Sequence, residues 1–460
     1  MNARASVRFA LLTGLGIAVL ARPTAAHAGG FGTLVTNAAV PTWLTIVTGG
    51  VIVGASFMFT SLMTDHGAIR AVNDWRVFVP STGAIQRAIR PIAGGLGVGV
   101  LLVVLVTGFT GSQSPTRNFA TLFVWAGWWA GFTMSVYLVG NTWPALNPWR
   151  AVAALVPAKP RLAYPDRFGV WPSVVGLLAL VWLEVVSPVS ENPRLLATVI
   201  LGYSVITVVG AILFGVETWF GRVDPISQVF RCYGRIAPIQ RTETGLAFKL
   251  PSTALATRRV AERPDETAFI VALLWVTTYD GFIATPLWRS AIEPLVVSGV
   301  PPRALYFVAI VAGFALFLVA YRLAARRARE SARTYVTPQF IEGWFAPALL
   351  PIAAGYHLAH FLAFFLTLSP ALITVAANPF SPPLDLQVLV IPGWFSTLQL
   401  LFVLLGHLFA VWIAHSLAFD LFPGKLKPIR SQYPFIVVMI FYTMTSMWIV
   451  TQPFRPPPFI

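Results

Sequence analysis

GYHLAHFLAFF (residues 355–365) places two histidines three positions apart inside a segment that otherwise reads as lipid-facing helix. A second apolar segment, LLGHLFAVWIAHSLAF (residues 404–419), carries His407 and His415, so four of the chain's six histidines sit in two neighbouring hydrophobic runs. An imidazole in hydrocarbon is costly unless a partner satisfies it. The two runs therefore point to a chain that crosses a membrane as helices and has a use for imidazole within them.

The composition agrees. The chain has 460 residues, is 57% hydrophobic and 11% charged, and has a mean hydropathy of +0.74, far from the balance of a soluble protein. Its apolar runs are long enough to cross a hydrocarbon core of about 30 Å, and they are not short alternating strands. The expectation is an all-α, polytopic transmembrane helix bundle with ten crossings: 40–64, 92–111, 119–140, 169–188, 195–215, 267–289, 304–321, 343–367, 395–419 and 432–451.

The formal charge of +15 does not point to nucleic acid, because the basic residues follow the loops. With the N-terminus inside, 24 of the 32 Lys and Arg fall in the five loops assigned to the cytoplasm, eight of them between 216 and 266. This regular alternation supports the span count and the orientation. It places the mature N-terminus and the C-terminus outside the cell, in a multi-pass protein of the plasma membrane whose basic loops meet anionic lipid headgroups of the bilayer.

Residues 1–28 read as a signal peptide or leader: Arg4 and Arg8, an apolar run, then TAAHAGG. Cleavage after Ala28 starts the mature chain at Gly29. Cleavage after Ala26 would expose His27, whose amine and imidazole together chelate copper. The remainder, 29–460, is a single transmembrane domain. Within it, 216–266 forms a basic, lipid-hugging cytoplasmic loop, and 369–394 forms a proline-broken, apolar outer loop that caps what lies beneath it. NTWPALNPWRAVAALV (residues 141–156) reads as an interfacial helix. Cys232 is the only cysteine, which excludes an intrachain disulfide framework.

Depth in the bilayer decides which polar residues can share a site. His357, His360 and His407 lie near the midpoints of their crossings, and so does Asp280 in TTYDGFIATPLW. His357 and His360, at i and i+3, are expected on one helix face. His415 lies about 12 Å nearer the cytoplasm, a second station with Asp420 beyond it. Three imidazoles and a carboxylate are the ligand set of copper, zinc or non-haem iron, so metal binding for transport or membrane redox chemistry is the leading expectation. Two alternatives stay open: a haem held by His407 and one of the 357/360 pair, or histidines that each bond singly to a neighbouring helix in a structural or assembly subunit. Glu184 and Glu217 fall near span ends, where headgroups or basic loops can satisfy them. No nucleophile elbow, phosphate loop or HExxH motif is present.

YHLAHFLAFF, LLGHLFAVWIAH, SQYPFIVVMIFYT, GNTWPALNPWR and YDGFIATPLW together resemble a group of prokaryotic multi-pass membrane proteins often labelled fenitrothion hydrolase. The resemblance runs over most of the chain after the leader, and the matching positions are His357, His360, His407, His415, Asp280, Asn141 and Asn147. It implies hydrolysis of an organophosphorus ester, for which a bound metal would activate water.

Overall fold

The computed structural model describes residues 41–79, 83–156, 160–242, 245–257, 261, 263–452 and 456–460. The leader and His27 lie outside the described residues.

Helix starts follow a simple local rule. A residue whose side chain accepts a backbone N–H stands before a proline whose missing N–H costs nothing at the first helical position. Asn147-Pro148, Asn192-Pro193, Asp224-Pro225, Thr285-Pro286 and Thr337-Pro338 all open helices in this way. The helices are α1 Thr42–Leu62, α2 His66–Asp74, α3 Gly83–Thr110, α4 Phe119–Leu138, α5 Trp143–Leu146, α6 Pro148–Ala153, α7 Trp171–Val186, α8 Pro193–Phe214 and α9 Pro225–Gly234. After them come α10 Ala254–Thr257, α11 Pro264–Ile283, α12 Pro286–Val297, α13 Pro302–Ala332, α14 Pro338–Phe345, α15 Leu350–Ala377, α16 Phe395–Leu421 and α17 Leu426–Thr451. Among the described residues, nine segments are long and apolar enough to cross a membrane, and α7, at 16 residues, is a shorter apolar helix in the expected place of the fourth crossing. The all-α multi-pass bundle expected from the sequence is therefore the observed fold.

At the centre stands α11, buried along nearly its whole length and packed against α7, α13, α15 and α17. Its first turn is fixed by buried Asp265, which accepts the backbone N–H of Val170 at 2.6 Å and the Arg263 Nε–H at 3.1 Å. A carboxylate there also suits the positive end of the helix dipole. Helices α15 and α16 pack tightly along each other and cross at Gly355 and Gly406. A Cβ on Gly355 would lie 2.6 Å from the Phe402 carbonyl oxygen, and one on Gly406 would lie 2.6 Å from that of Pro351. The two backbones touch with no side chain between them.

Three loop expectations change. The 216–266 segment is not an open loop. It folds into α9, α10 and two strands, β2 Ile239–Thr242 and β3 Gly245–Lys249, which join β1 Arg76–Val79 in an antiparallel sheet of order β1-β3-β2. The reason is that Val229, Phe230, Cys232 and Tyr233 form an apolar face that α9 buries in the bundle. Residues 141–156 form an elbow, α5 then α6, rather than one interfacial helix. The elbow packs against α3 and α8, with Trp143 and Trp149 buried and Trp149 donating to Ser204 Oγ at 2.7 Å. The outer loop is shorter than expected, because α15 runs on through Pro370 to Ala377. The remainder is pinned by Arg117, which donates to the Pro382 and Pro383 carbonyls at 3.2 Å.

The crossing carries a prediction. Gly406→Ala forces backbone against backbone, an overpacking expected to destabilise by about 1–3 kcal/mol. Gly99→Ala, where a Cβ meets nothing within 4 Å, is expected to leave stability unchanged. Thermal unfolding in detergent checks the pair, and equal melting temperatures would contradict a backbone-tight crossing.

Candidate functional site

Helix α15 carries His357 and His360 less than one turn apart, yet they meet different partners. His360 Nε2 lies 3.0 Å from Asp280 Oδ2 on α11, and both side chains are about one-third exposed, at 27% and 33%. Glu184 lies near the end of α7, the helix that packs beside α11. The imidazole of His360 and the carboxylate of Asp280 thus meet from two helices. Tyr356 closes this group from below: its ring stacks parallel to His360 at 6.4 Å, and its hydroxyl occupies the space a side chain on Gly281 would need. Tyr279, beside Asp280, donates to the Tyr306 carbonyl at 3.1 Å.

His357 points instead into an aromatic box. Trp129, Tyr137, Tyr233 and Phe361 surround its ring at centroid distances of 5.9, 5.8, 6.0 and 4.6 Å. Nδ1 lies 3.1 Å from the Tyr137 hydroxyl, and the Trp129 backbone lies within reach of the buried ring. One wall of the box is the Phe123–Phe132 stretch of α4, which is wound as π-helix, a form that appears often at functional sites. Phe361 touches both the His357 and His360 rings and separates their surroundings.

His407 sits beside the Gly355–Gly406 crossing. Its Nδ1 lies 2.8 Å from the Val403 carbonyl, which only a protonated Nδ1 can satisfy, so Nε2 presents a bare lone pair, buried and without a protein partner. The ring lies against Tyr442, whose hydroxyl is 2.6 Å from Thr278 Oγ1 on α11. His415 has both nitrogens occupied: the Gln432 amide donates to Nδ1 at 3.3 Å, and Nε2–H donates to the Met63 carbonyl at 2.9 Å.

The expected layer of His357, His360, His407 and Asp280 therefore resolves into one pair and two separate imidazoles. Among the described residues, no group of three or more His, Cys, Asp or Glu is arranged to hold a metal ion. His357 and His407 face different helices, so they do not confront each other as a haem's two axial ligands would. Asp280 is also less deep than expected. The sequence ran the crossing to 289, whereas Thr285-Pro286 ends α11 at Ile283 and starts α12. Glu217 is satisfied by a basic loop as expected, through its ion pair with Arg150. Glu184, an acid inside the apolar run LVWLEVV, sits near the end of α7 as the sequence reading placed it. Asn141 and Asn147 hold the α5–α6 elbow: Asn141 donates to the Phe230 carbonyl at 2.9 Å and Asn147 caps α6 at Arg150 N, also at 2.9 Å.

No family model, no curated protein and no solved structure matches this chain.

Two outcomes follow from these surroundings. Tyr137→Phe strands His357 Nδ1 in an apolar box, at a cost of about 1–3 kcal/mol that denaturant titration in mixed micelles will register; an unchanged midpoint would contradict the bond. On α9, outside the spanning helices, burial pushes the Cys232 thiol up to about 11. A raised value means that the neutral thiol, not the nucleophilic thiolate, prevails below that pH. Maleimide near neutral pH should therefore label Cys232 only after unfolding, and labelling of the folded protein at a free-thiol rate would refute this.

Proposed function

We propose that the chain is a proton-translocating protein of the plasma membrane in which Asp280 and His360 take up and release the transported proton. The observation that carries this reading is the 3.0 Å contact between His360 and Asp280 from two membrane-spanning helices. An ionisable pair at such a place is a functional group by default, because apolar packing would be less costly. A carboxylate and an imidazole in contact can pass a proton between them. Both side chains are partly exposed, so the pair is not sealed inside the protein.

A second reading has its own support. The His360 imidazole and the Asp280 carboxylate are two donors that a borderline divalent ion accepts, and water would have to complete its shell. On this reading copper, zinc or iron binds near His360 and moves in exchange for protons.

Reconstituted vesicles with an entrapped pH dye test the first reading. Under an imposed membrane potential the wild type should acidify the lumen, and Asp280→Asn and His360→Phe should slow this by about a hundredfold. Equal rates in all three would contradict it. Mass-spectrometric metal analysis separates the second reading: stoichiometric copper, zinc or iron that disappears in His360→Ala would replace the first. Flux that persists through chelation would retain it.

A further inference from the structure

The β1-β3-β2 sheet turns polar side chains toward the protein and an apolar row outward, the reverse of a sheet that packs on a core and faces water. Successive side chains on a strand point to opposite faces, and residues paired across strands share a face. Gln240, Ala247 and Lys249 point inward and are buried. Gln240 Nε2 donates to the Gly234 and Ala237 carbonyls at 2.8 and 2.6 Å, at the end of α9, and Lys249 Nζ donates to Thr257 Oγ1 of α10 at 3.1 Å. On the other face Val77, Phe248 and Ile239 form one row across all three strands. They are 52, 42 and 36% exposed, and Trp75, 45% exposed, sets its ring nearly perpendicular to that of Phe248 at 6.3 Å.

The position of the sheet decides what such a face meets. Strand β1 lies in the connection between the membrane-long helices α1 and α3. Strand β2 is fastened to the end of a third, α4: the Ile239 N–H donates to the Val139 carbonyl at 3.1 Å, and a Cβ on Gly140 would lie 3.3 Å from the Ile239 Cβ. Leu138 and Val139, at the end of α4, are exposed apolar residues themselves. The apolar row of the sheet therefore begins where the surface of a spanning helix stops. Exposed arginines accompany it. Arg241 shares the face of Ile239, two residues away, and Arg76 on the edge strand holds its guanidinium over the Phe78 ring at 5.2 Å. A long basic side chain beside apolar surface keeps its stem in the apolar layer while its charge reaches a phosphate.

We propose that this sheet is an interfacial membrane element: Trp75, Val77, Phe248 and Ile239 dip into the headgroup–acyl boundary of the leaflet at this end of the bundle, and Arg76 and Arg241 meet lipid phosphates. A tryptophan, aliphatic and aromatic side chains and flanking arginines are the composition that suits that layer. Lipid is the occupant because the row continues from the end of a spanning helix, where a protein partner would first have to displace lipid. Left in water, the same row beside an open edge strand would invite aggregation. Immersion also gives the sheet a task within the fold. Through Gln240 it holds the end of α9, the helix that carries Tyr233 to the His357 ring. The inference makes no use of the Asp280–His360 pair and stands apart from the reading under Proposed function.

Fluorescence quenching of the full chain in single-copy lipid nanodiscs tests the immersion. Val77→Cys and Phe248→Cys, each carrying a nitrobenzoxadiazole label, probe the row, and Tyr335→Cys, at a site 98% exposed between α13 and α14, is the aqueous reference. Wild type treated in the same way supplies the blank for the buried Cys232. Lipids with a nitroxide near the headgroup should quench the two sheet probes severalfold more than the reference, and aqueous iodide should quench them severalfold less. Two sheet positions are used so that loss of the Trp75–Phe248 contact in one variant does not decide the result. Iodide quenching equal to that of the Tyr335 probe would overturn the inference, because the face would lie in water. Protection from both quenchers would overturn it as well, because protein would cover the face. Shielding that arises only in discs holding two copies would overturn it in favour of a contact between copies of this chain.

Discussion

The backbone contact between Gly355 and Gly406 is the constraint on which the rest of the bundle depends. Lipid offers no hydrophobic drive for two apolar helices to associate, so close packing has to supply the attraction, and small residues at a crossing permit it. Once the two backbones touch, neither helix can rotate without a clash. Gly355 is followed at once by Tyr356 and His357, and Gly406 by His407. The crossing therefore fixes the direction of every imidazole in this part of the bundle: His357 into the aromatic box, His360 to Asp280, His407 to Tyr442. The polar chemistry of the interior is a consequence of where two glycines meet.

Charge is distributed with the same economy. The arginines of the basic loops have acids of their own: Arg70 with Asp420, Arg222 with Asp166, Arg231 with Glu266, Arg263 with Asp265 and Arg322 with Glu342. The Arg70–Asp420 and Arg222–Asp166 pairs are exposed and contribute little to stability, whereas Asp265 and Glu342 are buried acids held by half-exposed arginines. The His360–Asp280 pair stands apart, because its members come from spanning helices and, among the described residues, no arginine forms an ion pair with them. That separation is what makes it a functional candidate rather than a loop tether.

Much of the fold could be read in the sequence because its signals are local. Apolar run length gave the helices, and cap-then-proline pairs such as Thr285-Pro286 marked their starts, although that one was passed over and Asp280 was placed too deep. The candidate site was legible only in part. Depth follows from counting residues, and counting correctly placed His360 near Asp280. Direction around a helix follows from the crossing partner, which one sequence does not specify. His357 and His360 look like one face at a spacing of three, yet Phe361 divides them. Glu184 was read as a span-end residue, and it does sit near the end of α7. The α9 segment was taken for a lipid-bound loop because its basic residues hid the apolar face that carries Tyr233 to His357.

The most direct test of the central claim, that Asp280 and His360 hold an exchangeable proton inside the bundle, is pH-difference infrared spectroscopy of the protein in lipid, comparing wild type with Asp280→Asn. The account predicts a protonated-carboxyl band that changes with pH in the wild type, shifts in His360→Phe and is absent from Asp280→Asn. Identical difference spectra for all three proteins would show that the pair carries no exchangeable proton and would contradict the account.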